Sequence, residues 1–399
     1  MTNEAESGGA APSAVDEVVA RAEALYHDVE LSSVQRWRDA HGGAKAVGYM
    51  PIYVPRELIH AAGMLPVGLM GGRGQVEIIR GDAWFQSYIC QIPRSTIELA
   101  LTGRYALLDG FLFPSICDVI RNLSGMWKVL FPEKYVRYLD VPQNYDPDVG
   151  GRFFGSELRS LYADLCALSG EAPSDERLRA SIALYNDNRR SIGRLMELRA
   201  TEPWSVPAWE VYLALYAGNL LPVEEHTALV DAYIAAARAA SRPRRDNARV
   251  VLSGAFCEQP PLELIRTLEL AGCYVVADDM ALGRRWPEGD IEVTGDPIAA
   301  IAEAFITRSP ATAARYEPHG DRGAPLVQLV RKSHAEGVVL AAPSFCDPAL
   351  LEQPILQDSL DKERLPWTAF KYSENLGQFQ VIREQAGTFA DSIKLWSEA

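Results

Sequence analysis

The stretch VGYMPIYVPRELIHAAGMLPVGLM, residues 47–70, decides the fold class. An apolar run, VGYMPIYV, leads into PRELIHAAG, a helical segment with proline near its start and Gly63 near its end. LPVGLM then supplies a second strand. Further along, 87–101 reads as a helix, 108–113 as a strand, 117–130 as a helix and 135–139 as a strand. Strands that alternate with helices indicate a parallel sheet covered on both faces.

On the N-terminal side, residues 14–40 have helical spacing, with Val18, Ala22, Leu25 and Tyr26 on one face. On the C-terminal side the strand signal fades over 155–240. There Leu178, Ile182, Tyr185, Ile192 and Met196 form a helical stripe, and 209–240 is again helical. SRPRRDN at 241–247 reads as a linker. A second alternating region follows, with RVVLSG, CYVVAD, GVVLAA and WTAFKY as strands and a helical end around SIKLW. The expected architecture is α/β, with two Rossmann-like parallel-sheet units joined by a helical segment. The expected divisions are a lead-in and first helix over 1–40, a first unit over 41–154, connecting helices over 155–245 and a second unit over 246–399.

The chain has 399 residues, 48% apolar and 23% charged, the composition of a globular protein with buried cores. A net charge of −14 argues against a general nucleic-acid surface. No apolar run is long enough to span a membrane. The opening MTNEAESGGAAPSAVDE lacks the basic start and apolar middle of a signal peptide, so the protein is expected in the cytoplasm. In that compartment its six cysteines are expected to be free thiols or metal ligands rather than disulfides.

Two of those thiols stand in matched settings. LDGFLF runs into PSICD at 114–118, and GVVLAA runs into PSFCD at 343–347. A strand followed by Pro-Ser-x-Cys-Asp and a helix puts each thiol at the carboxyl rim of a parallel sheet, where such folds bind ligands. The N–H groups of a helix start there favour thiolate. Cys117 and Cys346 therefore form a candidate pair meeting across a cleft between the units. An iron–sulfur site needs a further ligand. Cys90, in QSYICQIPRSTIELAL, is preferred as the third, with Cys257 in SGAFCEQPP as its rival. Cys166 and Cys273 read as core thiols. Neither a CxxC nor a run of four closely spaced cysteines occurs, against a ferredoxin or zinc-ribbon pattern.

GYMPIYVPRELIHAAGMLPVGL, SYICQIPRSTIEL, FPSICDVIRNLSGMWK, AAPSFCDPALLE and KYSENLGQFQVIREQAGTFADSIKLW together resemble the 2-hydroxyacyl-CoA dehydratase/benzoyl-CoA reductase family. The resemblance runs from about residue 15 to the end and within the family is to C-type catalytic subunits of class I, ATP-dependent reductases. It implies a 4Fe–4S cluster held by Cys90, Cys117 and Cys346, with the fourth iron left to a small ligand or the substrate. It also implies a related second catalytic subunit and an ATP-hydrolysing iron–sulfur activator fed by reduced ferredoxin. The implied reaction is reduction of the ring of benzoyl-CoA to a cyclohexadiene carbonyl-CoA. The alternatives are a radical 2-hydroxyacyl-CoA dehydratase subunit, or an electron-relay subunit whose partner binds substrate.

That chemistry requires a proton donor. Glu57 and His60 lie one helical turn apart in VPRELIH, with Tyr53 just before them, and are the expected candidates. Ser115 and Ser344 are expected to hydrogen-bond cluster sulfurs, and Asp118 and Asp347 to cap the following helices. Arg121, Asn122 and Lys128 read as exposed polar residues, with Arg121 a possible contact for a CoA phosphate or the partner. Glu374 and Asn375 follow the last strand and could orient a ligand. No Walker or GxGxxG element occurs, so ATP is expected to be consumed on the activator.

Overall fold

A computed structural model describes residues 13–50, 52–86, 88–254, 260–280, 282, 287–310, 321–373 and 379–397. Cys257, Glu374 and Asn375 lie outside these.

The first sheet consists of β1 (Ala46–Tyr49), β2 (Leu65–Gly68), β3 (Gly110–Pro114) and β4 (Tyr135–Leu139), in the spatial order β2-β1-β3-β4. The second consists of β5 (Ala248–Gly254), β6 (Cys273–Asp278), β7 (Gly337–Pro343) and β8 (Trp367–Tyr372), in the order β6-β5-β7-β8. Every pairing is parallel. The two orders are the same pattern run twice. In each, the chain leaves the central pair on one side and returns on the other, so a switch point opens at the carboxyl ends of β1 and β3, and again of β5 and β7. Such switch points are where open α/β sheets bind ligands. Val338–Pro343 and Phe111–Pro114 are buried throughout, as near-continuous apolar strands covered on both faces should be.

The connections around the first sheet are α1 (Ala14–Tyr26), α2 (Ser32–Ala40), α3 (Arg56–Ala61), α4 (Gln91–Leu101) and α5 (Asp118–Leu130). The 14–40 region is thus two helices rather than one. Leu31 is left-handed, with φ 55°, and Asp28 accepts from the N–H groups of Ser32 and Ser33 at 2.8 and 2.7 Å, starting α2 afresh. Four helices separate the sheets: α6 (Arg152–Ser169), α7 (Asp175–Thr201), α8 (Ala208–Ala217) and α9 (Val223–Ala239). Around the second sheet lie α10 (Leu262–Leu270), α11 (Pro297–Arg308), α12 (Ala324–Lys332), α13 (Asp347–Lys362) and α14 (Phe379–Ser397). One continuous apolar core joins Val47 and Phe111 of the first sheet to Val250 and Val339 of the second. Among the described residues no helix is long and apolar enough to cross a membrane.

α7 is the strut between the units. Its 27 residues make a rod about 40 Å long. Arg189 on it pairs with Glu57 of α3 at 2.6 Å, and Arg199 pairs with Asp278 at the end of β6 at 2.6 Å. All four side chains are buried or nearly so. A buried charge left without its partner is costly, so both pairs hold α7 in one register against both units.

Candidate metal centre at three helix starts

Cys90, Cys117 and Cys346 share a local structure. Each is the residue immediately before a helix, at the starts of α4, α5 and α13, and none of these starts has a side-chain cap. Each cysteine therefore stands at the positive end of a helix dipole, and at Cys117 the N–H groups of Val119 and Ile120 reach the sulfur. Around Cys117, burial pushes the thiol up, while the N–H groups of Ile120 and Val119 act to lower it and the neighbouring Cys346 acts to raise it. That influence places Cys117 and Cys346 near one another. Cys346 is buried in a small cluster with Ala342 and Ala349, and Cys90 packs against this cluster. The structure thus gathers thiols from the first unit around one from the second. Among the described residues no group of three His, Cys, Asp or Glu side chains is gathered as for a single metal ion.

The helix behind Cys117 is firmly anchored. Ile120, Leu123, Ser124 and Trp127 form the buried face of α5. Trp127 lies against Phe111 and Phe113 of β3, with ring centroids 4.8 and 5.3 Å away, and against Phe131 at 5.3 Å. Aromatic pairs of this kind contribute about 1 kcal/mol each beyond area burial. The helix start, and Cys117 with it, is fixed against the strand end.

The two serines occupy equivalent places. The Ser115 N–H donates to Leu139 O at 2.9 Å, and the Ser344 N–H to Tyr372 O at 2.7 Å, each extending its strand by one bond to the neighbouring strand end. The Ser115 hydroxyl accepts from the Val141 N–H at 2.7 Å, which ties it to the segment after β4. Ser115 is therefore a strand-end clasp. Asp118 and Asp347 do not cap their helices. The cysteines hold the cap positions, and the aspartates are the first helical residues, where their charge suits the dipole. Arg121, Asn122 and Lys128 are exposed.

The expected proton donors have other work. Burial acts to raise the Glu57 carboxyl, but Arg189 and Arg56 outweigh it and hold the group below the usual carboxylate range. Glu57 is an ionised anchor for α7 and has no proton to give at neutral pH. Burial lowers the His60 imidazole against the raising influence of Glu224 and Glu57, so the ring is neutral at pH 7. The Ser181 hydroxyl donates to Glu57 O at 2.9 Å and lies 2.9 Å from His60 Nδ1. His60 Nε2 faces the Glu224 carboxylate at 3.7 Å, so one neutral tautomer donates to Glu224 and the other to Ser181. His60 is thus a neutral imidazole held between Ser181 and Glu224. Tyr53 differs. It adopts φ 61°, a left-handed conformation, beyond the carboxyl end of β1, and packs edge-on against Phe305 at 5.7 Å. Backbone strain of this kind collects at functional sites. The small cavity lined by Tyr53, Glu57, Phe154 and Phe305 contains no cysteine among its lining residues.

Cys166 and Cys273 are core thiols. Burial, and then the nearby Glu269 charge, pushes the Cys273 thiol up to about 12. What sequence reading missed is the α7 strut: neither Arg189 nor Arg199 stands in a motif.

Proteins of similar sequence point the same way. The model of the family described as 2-hydroxyglutaryl-CoA dehydratase, D-component, matches residues 51–393. The chain is 54% identical over 382 residues to the C-type subunit of benzoyl-CoA reductase from Thauera aromatica, covering 96% of this chain and 99% of that protein. It is 28% identical over 355 residues to the beta subunit of lactoyl-CoA dehydratase from Anaerotignum propionicum, covering 89% and 93%. It is also 28% identical over 356 residues to the beta subunit of (R)-2-hydroxyglutaryl-CoA dehydratase from Acidaminococcus fermentans, covering 88% and 93%. The doubled parallel sheet, the cysteines at helix starts and a match along nearly the whole chain agree: this protein belongs to the 2-hydroxyglutaryl-CoA dehydratase, D-component family.

Proposed function

We propose that this chain is the iron–sulfur catalytic subunit of an ATP-dependent benzoyl-CoA reductase. The observation that carries this is the 54% identity, over 96% of the chain, to the C-type subunit of a benzoyl-CoA reductase. The dehydratase subunits stand much further off, at 28%. Each of these relatives is one subunit of a larger enzyme, which supports a heteromeric complex here. Exposed Tyr88, Phe345 and Leu351, close in sequence to Cys90 and Cys346, fit a covered rim.

The donor set fits a 4Fe–4S cluster: three thiols, each at a helix start where N–H groups favour thiolate. Cys90, Cys117 and Cys346 would hold it, and when bound it would supply one electron at a time at low potential. The chain's own residues do the rest. The starts of α4, α5 and α13 hold the sulfur charge. Buried Ile116 and Ala342 keep water from the strand ends. The α7 ion pairs keep the two rims facing each other. With Glu57 ionised as the α7 anchor, His60 and Tyr53 remain the candidates for proton delivery. ATP hydrolysis and contact with ferredoxin belong to a separate activator, since the chain carries no phosphate-loop motif.

The test is anaerobic turnover with the related subunit and the activator present. A cyclohexadiene carbonyl-CoA formed with net electron consumption supports the reductase. Conversion of a 2-hydroxyacyl-CoA to an enoyl-CoA with catalytic electrons would assign the chain to the lyases instead.

A further inference from the structure

The two Pro-Ser-x-Cys-Asp copies begin alike and then diverge. Both follow the third strand of a sheet, and both serines extend that strand to its neighbour. In the first copy the Ile116 N–H donates to Pro114 O at 2.8 Å, a three-residue turn. Ile116 is then 7% exposed, and Cys117 is left half-buried. In the second copy the bond skips one residue further, from the Cys346 N–H to Pro343 O at 3.2 Å, a four-residue turn. Its third position is Phe345, with φ 66°. A turn with positive φ there ordinarily takes glycine or asparagine. A bulky side chain at positive φ is an outlier that the surroundings must enforce.

The consequence is an exchange of places. Phe345 is 53% exposed and Cys346 is 2% exposed, the reverse of the Ile116 and Cys117 arrangement. Cys346 enters α13 with φ −90° and ψ 89°, where Cys117 enters α5 with φ −153° and ψ 172°. A pentapeptide with the same Pro, Ser, Cys and Asp therefore presents its thiol in two directions, and the backbone at 345 is what differs.

We propose that the left-handed conformation of Phe345 is the positioning device that turns Cys346 inward onto Cys90, so that thiols of the two units meet from opposite rims instead of both pointing outward. This rests on the reading that these cysteines form one site. Phe345 itself is a positioning residue. Its ring faces outward, and it acts through the direction it gives Cys346.

The test compares Phe345→Gly with Phe345→Ala in the full-length chain, metal-free and anaerobic, with no turnover required. N-ethylmaleimide labelling is followed cysteine by cysteine by mass spectrometry, with Cys117 as internal reference. Glycine takes positive φ without penalty, so the Gly chain should keep Cys346 as protected as in the parent. Alanine carries a left-handed cost that glycine escapes, so the opened turn is more populated and Cys346 should label about tenfold faster in the Ala chain than in the Gly chain, with Cys117 unchanged. The Gly chain should also melt at the higher temperature, the reverse of the order expected at an ordinary position. Equal labelling of Cys346 in the two chains, or an Ala chain that melts at or above the Gly chain, overturns the inference. The ligand reading fails separately: full iron binding by Cys346→Ala would remove Cys346 from the metal site, whatever the labelling order.

Discussion

Replacing Glu57 by glutamine tests whether that residue is an acid or an anchor. The carboxylate is 4% exposed and lies 2.6 Å from Arg189, which also donates to Asn186 Oδ1 at 2.6 Å. Asn186 in turn accepts from the Ile291 N–H and donates to Ile291 O, both at 2.8 Å, so the pair ends a network reaching from α3 through α7 to the segment before α11. Glutamine keeps the shape and one acceptor but leaves the guanidinium without a counter-charge. Breaking a buried pair from one side costs about 3–5 kcal/mol, and the retained acceptor puts the expected loss near the lower end. Urea unfolding at pH 7, followed by tryptophan fluorescence, measures it. Removing both charges in Glu57→Gln/Arg189→Met should recover part of the loss, because Arg189 is then no longer a buried charge without its partner, while Arg56 still lacks Glu57. The pH dependence has a definite sign. The folded-state carboxyl is held low, so the pair's contribution is fully present above the unfolded value of about 4.3 and is lost as pH falls through the folded value. The gap between parent and Glu57→Gln should therefore close in acid. A Glu57→Gln chain within about 0.5 kcal/mol of the parent, yet slower in turnover by about a hundredfold, would refute the anchor reading and restore Glu57 as the acid.

Two further outcomes follow from the same structure. Burial raises Glu269 to about 7 while its carboxylate accepts from the Ala208 N–H at 2.7 Å to close the start of α8. A raised carboxyl stabilises the fold most below its unfolded value and loses that contribution as pH climbs through 7. Glu269→Gln should thus flatten the stability profile and raise stability at pH 8, by at most about 3 kcal/mol; an unchanged profile between pH 5 and 8 would show that Glu269 is not buried as described. The purified chain alone should not hydrolyse ATP, and phosphate release above background without the activator would contradict the division of labour.

The inner strands were legible because they are buried on both faces and so read as apolar runs; 135–139 and 273–278 also emerge at the bounds expected. The break between α1 and α2 was not legible, because the stripe of Val18, Ala22 and Leu25 says nothing about Asp28 capturing the N–H groups of Ser32 and Ser33. The repeated pentapeptide made Cys117 and Cys346 visible, since like local sequence after like strands gives like placement. The opposite turns of its two copies were hidden, because they depend on the φ of one phenylalanine. The ion pair of Glu57 was hidden for a related reason. Its partner lies 132 residues away on a helix chosen by tertiary packing, and no window along the chain contains both. The setting of His60 was hidden likewise, since Ser181 lies 121 residues away.

The central claim is that thiols from both units converge on one iron–sulfur site. Iron and acid-labile sulfide, measured on the anaerobically purified complex carrying single cysteine-to-alanine changes, test it most directly. The account predicts loss of both from this chain in Cys90→Ala, Cys117→Ala and Cys346→Ala, and full retention in Cys166→Ala and Cys273→Ala, whose thiols are buried in the core. Full iron and sulfide in Cys90→Ala, together with their loss in Cys257→Ala, would contradict it by making Cys257 the third ligand.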